Sequence, residues 1–214
     1  MMQVHGFQRS GNHYLAWLLK ENFFQDMELS GICRSHGHHK NRSKIPVRLS
    51  YLKLLQHGHT APGPSIEESI YIYRDGRAVA ASIWSSEYFR PDDNVEFSEF
   101  LKLPLDWRFT TARATVSELT LPEHWMEMLD IWRGTDPYLI RYEDLVLNPE
   151  KELLAIGERF GLKSPDSIIL PDHDVGFSPS SNKIDGWKKL FTDQDLDFFF
   201  SKVPNDYWGL FDAR

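Results

Sequence analysis

Apolar residues recur along this chain in short runs that switch period. Around Val4 the pattern is strand-like, and beyond Arg9-Ser10-Gly11 the residues Leu15, Leu18 and Leu19 fall at helical spacing. Met2 to Leu19 therefore reads as strand, tight loop and helix, the helix running to about Phe24. The same order recurs from Ser69 to Trp84, where a β-rich run, Ile70-Tyr71-Ile72-Tyr73, becomes helix-forming after Gly76. Leu29 to Cys33 predicts a short second strand, and Leu49, Leu52, Leu54 and Leu55 suggest a short helix before the Gly/Pro-rich turns of 58–64. From Pro122 to Trp132 an amphipathic helix carries Trp125, Met128, Leu129 and Trp132 on one face. Pro137 to Tyr142 is a further strand, followed beyond Asn148-Pro149 by a helix to Phe160 that Gly161 caps, and a last helix spans Asp193 to Phe200. Strands alternating with helices predict an α/β fold, a three-layer α/β/α arrangement around a central parallel sheet, with ligand loops at the strand C-terminal ends.

Composition narrows this picture. A chain of 214 residues without repeats suits one domain, 1–214, and 41% hydrophobic with 14% aromatic residues indicates a globular protein. The net charge of −7 argues against broad binding to nucleic acid or anionic membranes, while leaving room for a local basic pocket. Cys33 is the single cysteine, so no internal disulfide forms. With no signal-like apolar run before the first strand and no stretch long enough to span a bilayer, the expectation is a soluble, cytoplasmic protein. Trp84, Tyr88, Phe89, Phe97, Phe100, Trp107 and Phe109 sit among acidic residues and prolines, and two readings balance there: the lining of an acceptor pocket, or plain core and lid packing.

Candidate chemistry begins in the first loop. A loop feeding a helix N-terminus aims backbone N–H groups and a positive dipole end at one point, which suits phosphate. Gly6 and Gly11 match the glycines of the P-loop GxxxxGK[ST], but Asn12 and His13 stand where an NTPase places its Lys and its Mg²⁺-binding hydroxyl. A cation lies inside the loop instead, at Arg9. The competing reading is that the two glycines are ordinary turn residues. The stretch Gln8-Arg9-Ser10-Gly11-Asn12-His13-Tyr14 resembles the Pro-Lys-Ser-Gly-Thr-Thr-Trp loop of sulfotransferases that use PAPS (3′-phosphoadenylyl sulfate). That resemblance implies a 5′-phosphate site made by Arg9, Ser10, Gly11, Asn12, His13 and Tyr14.

Three later segments carry the resemblance onward. Arg74-Asp75-Gly76-Arg77-Ala78-Val79-Ala80-Ala81-Ser82 is similar to the family's Arg-Asp-Pro-Arg-Asp-Val-Ala-Val-Ser, whose first Arg and final Ser bind the 3′-phosphate. These map onto Arg74 and Ser82, a forked cation and a neutral donor. Gly76 replaces Pro and should preserve the turn. The bland alternative is an ordinary corner with an Arg74–Asp75 or Arg77–Asp75 salt bridge. Tyr142-Glu143-Asp144-Leu145 resembles the family's Tyr-Glu-Asp-Leu, which puts Tyr142 near the adenine and gives the two carboxylates structural work. Asn182-Lys183-Ile184-Asp185-Gly186-Trp187-Lys188-Lys189-Leu190-Phe191-Thr192 is similar to the C-terminal segment, with Trp187-Lys188 and Phe191-Thr192 in register. The family's leading Arg-Lys-Gly falls on Ser180-Ser181-Asn182, so two cations are missing and Lys183 remains to contact the nucleotide.

Arg34-Ser35-His36 resembles the family's Lys-Thr-His, whose His is the catalytic base. A hydroxyl acceptor needs a base of near-neutral pKa, which His supplies. His38 and His39 compete for that role, as do two other readings of the segment, a solvated His-rich loop and a metal site of Cys33, His36, His38 and His39, with His57 and His59 as further ligands, without a recognisable zinc spacing. Taken together, the resemblance implies a P-loop NTPase-like sulfotransferase fold and PAPS-dependent transfer of a sulfuryl group to a small-molecule, glycan or lipid hydroxyl, an amine being second choice. His36 would act as base and Arg9 as electrostatic stabiliser, since its pKa is too high for proton donation, and no metal is required. Two rivals remain: a P-loop kinase, which needs Mg²⁺ and leaves Arg74 and Ser82 unexplained, and a non-catalytic module binding the product PAP. Acceptor identity and oligomeric state are not encoded in these patterns.

Overall fold

The computed structural model describes residues 2–7, 9–25, 28–32, 54–58, 69–85, 95–104, 119–171 and 184–210. Five strands, β1 (Gln3–His5), β2 (Glu28–Ile32), β3 (Leu54–Gly58), β4 (Ser69–Tyr73) and β5 (Tyr138–Arg141), form one sheet in the order β2-β3-β1-β4-β5. Every pairing is parallel. The helices among the described residues are α1 (Asn12–Phe23), α2 (Gly76–Trp84), α3 (Phe97–Phe100) and α4 (Leu121–Arg133) between the strands, and α5 (Tyr142–Leu147), α6 (Pro149–Arg159) and α7 (Asp193–Lys202) after β5. Two 3-10 turns, Gly186–Lys189 and Asn205–Leu210, flank α7.

The alternation of β4 sorts the core onto two faces. Ile70 and Ile72 pack with Val4, Leu15, Leu18, Leu19, Ile140, Leu153 and Ile156, so α1 and α6 cover one side. Tyr71 points the other way, among Val79, Ile83, Trp125, Met128, Leu129, Trp132 and Phe199, so α2, α4 and α7 cover the opposite side. The expected three-layer α/β/α arrangement around a parallel sheet is therefore observed. The aromatic stripe of α4 is core, with Trp125 and Trp132 nearly fully buried. Its start is fixed by a capping box in which Glu123 Oε2 accepts from the Thr120 N–H at 2.9 Å, with Pro122 in the first turn. Phe97 and Phe100 join the same core, which decides for packing at those two positions.

One element departs from expectation. Leu54 and Leu55 lie in β3, not in a helix, and β3 pairs with both β1 and β2. Consecutive apolar residues suit a strand with neighbours on both edges, and a short apolar run does not distinguish the two states. Leu49 and Leu52 lie outside the described residues. The strand expected to reach Tyr142 stops at Arg141, and Tyr142 opens α5. The closing Asn205–Leu210 turn was not anticipated.

Parallel registration sets up the carboxyl end of the sheet. β1 and β4 are neighbours, with His5 opposite Tyr71, so β4 runs two residues beyond the end of β1. Gly6, Arg9 and Gly11 consequently lie against Ile72 and Arg74 at the carboxyl ends of the strands, the place where open α/β sheets bind ligands.

Candidate functional site

The first loop is closed by its own residues. The Asn12 side chain donates from Nδ2 to Gly6 O at 3.1 Å, and the Ser10 N–H donates to Phe7 O at 3.2 Å. Arg9 and Gly11 both take positive φ, 65° and 97°, which turns the chain tightly into α1. A Cβ at Gly6 would stand 2.4 Å from Ile72 O, and one at Gly11 would stand 2.3 Å from Tyr142 Cδ2, so backbone and ring approach the loop closely. Gly11 is the N-cap of α1 and no side chain caps it. First-turn amides point out along a helix axis, and here these belong to Asn12, His13 and Tyr14. Ser10 is fully buried beside this N-terminus, and its hydroxyl has no hydrogen-bond partner among the described residues.

The second strand-to-helix corner supplies the cationic wall. Arg74 follows β4, is 6% exposed, and donates from a terminal guanidinium nitrogen to Arg9 O at 3.1 Å while lying 4.7 Å from the centre of the Tyr142 ring. Arg9 reaches back to α2, where its Nε donates to Ser82 Oγ at 3.0 Å. Tyr142 meets Tyr14 edge-on at 6.5 Å. Burial lowers the pKa of Arg74; Tyr142, Glu143 and Asp75 work against that, and the Arg9 charge adds to it. In the first turn of α1, partial desolvation and then Arg9 push the pKa of His13 down. The Tyr14 phenol is pushed up to about 12 by burial and by Tyr142, and Tyr142 is likewise raised by burial.

Arg77 and Asp75 form the salt bridge offered as the bland reading of this corner, with an Nη2 to Oδ2 distance of 2.6 Å. Both are buried. Asp75 Oδ1 also accepts the Arg77 N–H at 2.8 Å and so caps α2. Asp75 donates its own N–H to Glu143 Oε1 at 3.1 Å, and Arg141 Nε lies 3.3 Å from Glu143 Oε2. Glu143 therefore braces the two corners, while Asp144 is exposed. Burial raises the Glu143 pKa, with hydrogen bonds and Arg141 opposing. Sequence reasoning passed over Arg141; its place at the end of β5, beside the acidic pair, was the available signal.

The fold thus gathers Arg9, Ser10, Gly11, Asn12, His13, Tyr14, Arg74, Ser82 and Tyr142 at one end of the sheet. Asn12 is engaged in closing the loop, and Ser10 offers its side chain, its N–H being turned to Phe7. His36 and Lys183 lie outside the described residues, as do Cys33, Arg34, Ser35, His38, His39 and Ser180 to Asn182. Among the described residues, no cluster of His, Cys, Asp and Glu has the makings of a metal site. No helix among them is long and apolar enough to cross a membrane.

No family model matches the chain. No curated protein matches it either. Among solved structures, its architecture is that of the sulfotransferase fold. The crystal structure of mouse sulfotransferase SULT7A1 complexed with PAP superposes with a TM-score of 0.61 over 97% of this chain and 84% of that one, at 16% sequence identity.

Proposed function

We propose that this chain is a PAPS-dependent sulfotransferase acting on a hydroxyl acceptor, a small molecule, glycan or lipid, in a cytoplasmic setting. The observation that carries this reading is the convergence of Arg9, Arg74 and Ser82 with the buried Ser10 hydroxyl at an α1 N-terminus that no side chain caps. An unsatisfied buried hydroxyl, helix amides and guanidinium groups form a donor set suited to phosphate oxygens. The residues present therefore fit a nucleotide with phosphates at both ends of its ribose.

In this proposal Arg74 and Ser82 hold the 3′-phosphate, while the α1 amides and the Ser10 hydroxyl hold the 5′-phosphate. Tyr142, packed between Gly11 and Arg74, keeps both groups in register and borders the adenine. Lys183 adds a cation from the C-terminal segment. When bound, PAPS supplies an activated sulfuryl group whose bond to the 5′-phosphate breaks as the acceptor oxygen attacks, leaving PAP. His36 takes the acceptor proton. Arg9 contributes a permanent positive charge at the junction of loop and α2, and its pKa confines it to electrostatic work.

Calorimetric titration with PAP, and separately with ATP and Mg²⁺, tests the reading in wild type and Arg74→Ala. Micromolar PAP binding, about 8 kcal/mol, is expected in the wild type and is expected to be lost in the variant. Mg·ATP binding without PAP binding would favour a P-loop kinase instead. In a panel of hydroxyl acceptors, His36→Ala is expected to keep PAP affinity and lose turnover; a wild type that binds PAP and turns over no acceptor would be a binding module.

A further inference from the structure

The parallel strands β4 and β5 pair as far as Tyr73 and Arg141. Beyond them Asp75 caps α2 and Tyr142 opens α5, so both backbones turn out of the ladder. Side chains carry the pairing two positions further. At the first, the Tyr142 ring centre lies 4.7 Å from the Arg74 guanidinium; at the second, Glu143 Oε1 accepts the Asp75 N–H at 3.1 Å. That bond is buried, and Glu143 itself is 1% exposed. A buried amide that has left its ladder needs an acceptor, and here the neighbouring corner supplies it. Arg141 Nε, 3.3 Å from Oε2, offsets the charge of the buried carboxylate. Asp75 Oδ1 in turn accepts the Arg77 N–H at 2.8 Å in the first turn of α2. A chain of contacts thus runs from α5 through Glu143 and Asp75 into α2, the helix that carries Ser82.

We propose that Glu143 is a positioning residue for the nucleotide: by holding the Asp75 N–H it fixes the start of α2, and with it Ser82, against the Tyr142 ring. This rests on the functional reading above, in which Ser82 meets the 3′-phosphate and Tyr142 borders the adenine. Those two groups hang from one ribose, so the ligand sets their separation. The protein meets both at once when its two corners keep a matching separation. Tyr142 is packed on Gly11, where a Cβ would stand 2.3 Å from Cδ2, so the ring is tied to the loop after β1. Without the Glu143 bond α2 shifts relative to that ring, and small misplacements are costly where several groups must be met together.

The test is the preference for PAP over 5′-AMP, measured by calorimetry. A general loss of folded protein lowers both affinities alike and leaves their ratio unmoved, whereas a shifted Ser82 lowers the ratio. Two double variants, Glu143→Gln/Arg141→Met and Glu143→Leu/Arg141→Met, both lack the ion pair. They differ in the side-chain oxygen that accepts the Asp75 N–H. The Gln form is expected to keep the wild-type preference within about twofold, and the Leu form to lower it about tenfold, on the scale of one hydrogen bond to a charged group. Glu143→Asp, one methylene shorter, keeps a charge for Arg141 but withdraws the acceptor, and is expected to lower the preference several-fold. It gives the answer if the Leu form does not fold. Equal preferences in the two double variants, or in Glu143→Asp and wild type, overturn the proposal and leave the sulfotransferase reading standing. A wild type with no preference for PAP over 5′-AMP overturns both.

Discussion

Arg9 and Ser82, 73 positions apart, meet in a hydrogen bond of 3.0 Å from Nε to Oγ. Their contact joins the loop after β1 to the helix after β4, and it exists because those strands are parallel neighbours. In the proposed site, this cation and hydroxyl form a donor pair for an anion.

Ser82→Ala is expected to weaken PAP binding about tenfold, the value of a hydrogen bond to a charged acceptor, and to leave 5′-AMP binding unchanged. Fold stability should move by no more than about 0.5 kcal/mol, since Arg9 is exposed. Combined with Arg9→Ala in a double-mutant cycle for PAP binding, the two changes should be non-additive by about 1 kcal/mol. Additive effects would mean that the contact is incidental to the nucleotide.

Gly11 has φ 97° and faces the Tyr142 ring with no room for a Cβ, which would stand 2.3 Å from Cδ2. Gly11→Ala therefore combines left-handed backbone strain with overpacking, together about 3 kcal/mol. The melting temperature should fall by about 6–12 °C. PAP affinity should drop as well, because the α1 N-terminus has to move. A melting temperature unchanged within 2 °C, roughly the shift from 1 kcal/mol, would show that the loop accommodates a side chain.

What was legible in the sequence was local. The loop after β1 and the interval from Arg74 to Ser82 are each fixed by spacing along one strand-turn-helix unit, and both units formed as read. The contact of Arg9 with Ser82 was not legible, because it depends on strand order. Nor did the sequence decide which arginine takes Asp75, since Arg74 and Arg77 flank it at one and two positions. The structure assigns it to Arg77, whose own N–H Asp75 caps at the start of α2. At Leu54 and Leu55 the run was too short for periodicity to separate helix from strand.

Gly76 provides a sharper case. The related motif has Pro there, and Gly76 begins α2, a position that ordinarily accepts Pro. A Cβ at this site would lie 2.7 Å from Phe199 Cζ and 2.9 Å from Trp125 Cδ2, both buried in the core. Gly76→Pro should thus destabilise by about 1–3 kcal/mol through overpacking, outweighing the entropy gained in the unfolded chain. Urea denaturation reads the sign directly. A gain in stability would mean that the aromatic pair shifts at little cost, and that Gly76 is here for another reason.

His5 gives the fold a calculable response to acid. It closes β1, is 7% exposed and stacks on Trp132 with ring centroids 4.6 Å apart. Burial lowers its pKa to about 4 from the ordinary 6.5. Between those values the unfolded chain binds a proton that the native one refuses, so stability rises with pH across that window and falls as acid is added. From pH 7 to pH 5 the loss from this group is about 2 kcal/mol. His5→Phe keeps an aromatic ring against Trp132 and removes the titration. Its stability, from urea midpoints at pH 5, 6 and 7, should therefore fall by about 2 kcal/mol less than that of the wild type over the same interval. Parallel curves for the two proteins would place the acid sensitivity elsewhere, with the lowered pKa of His13 beside Arg9 acting in the same direction.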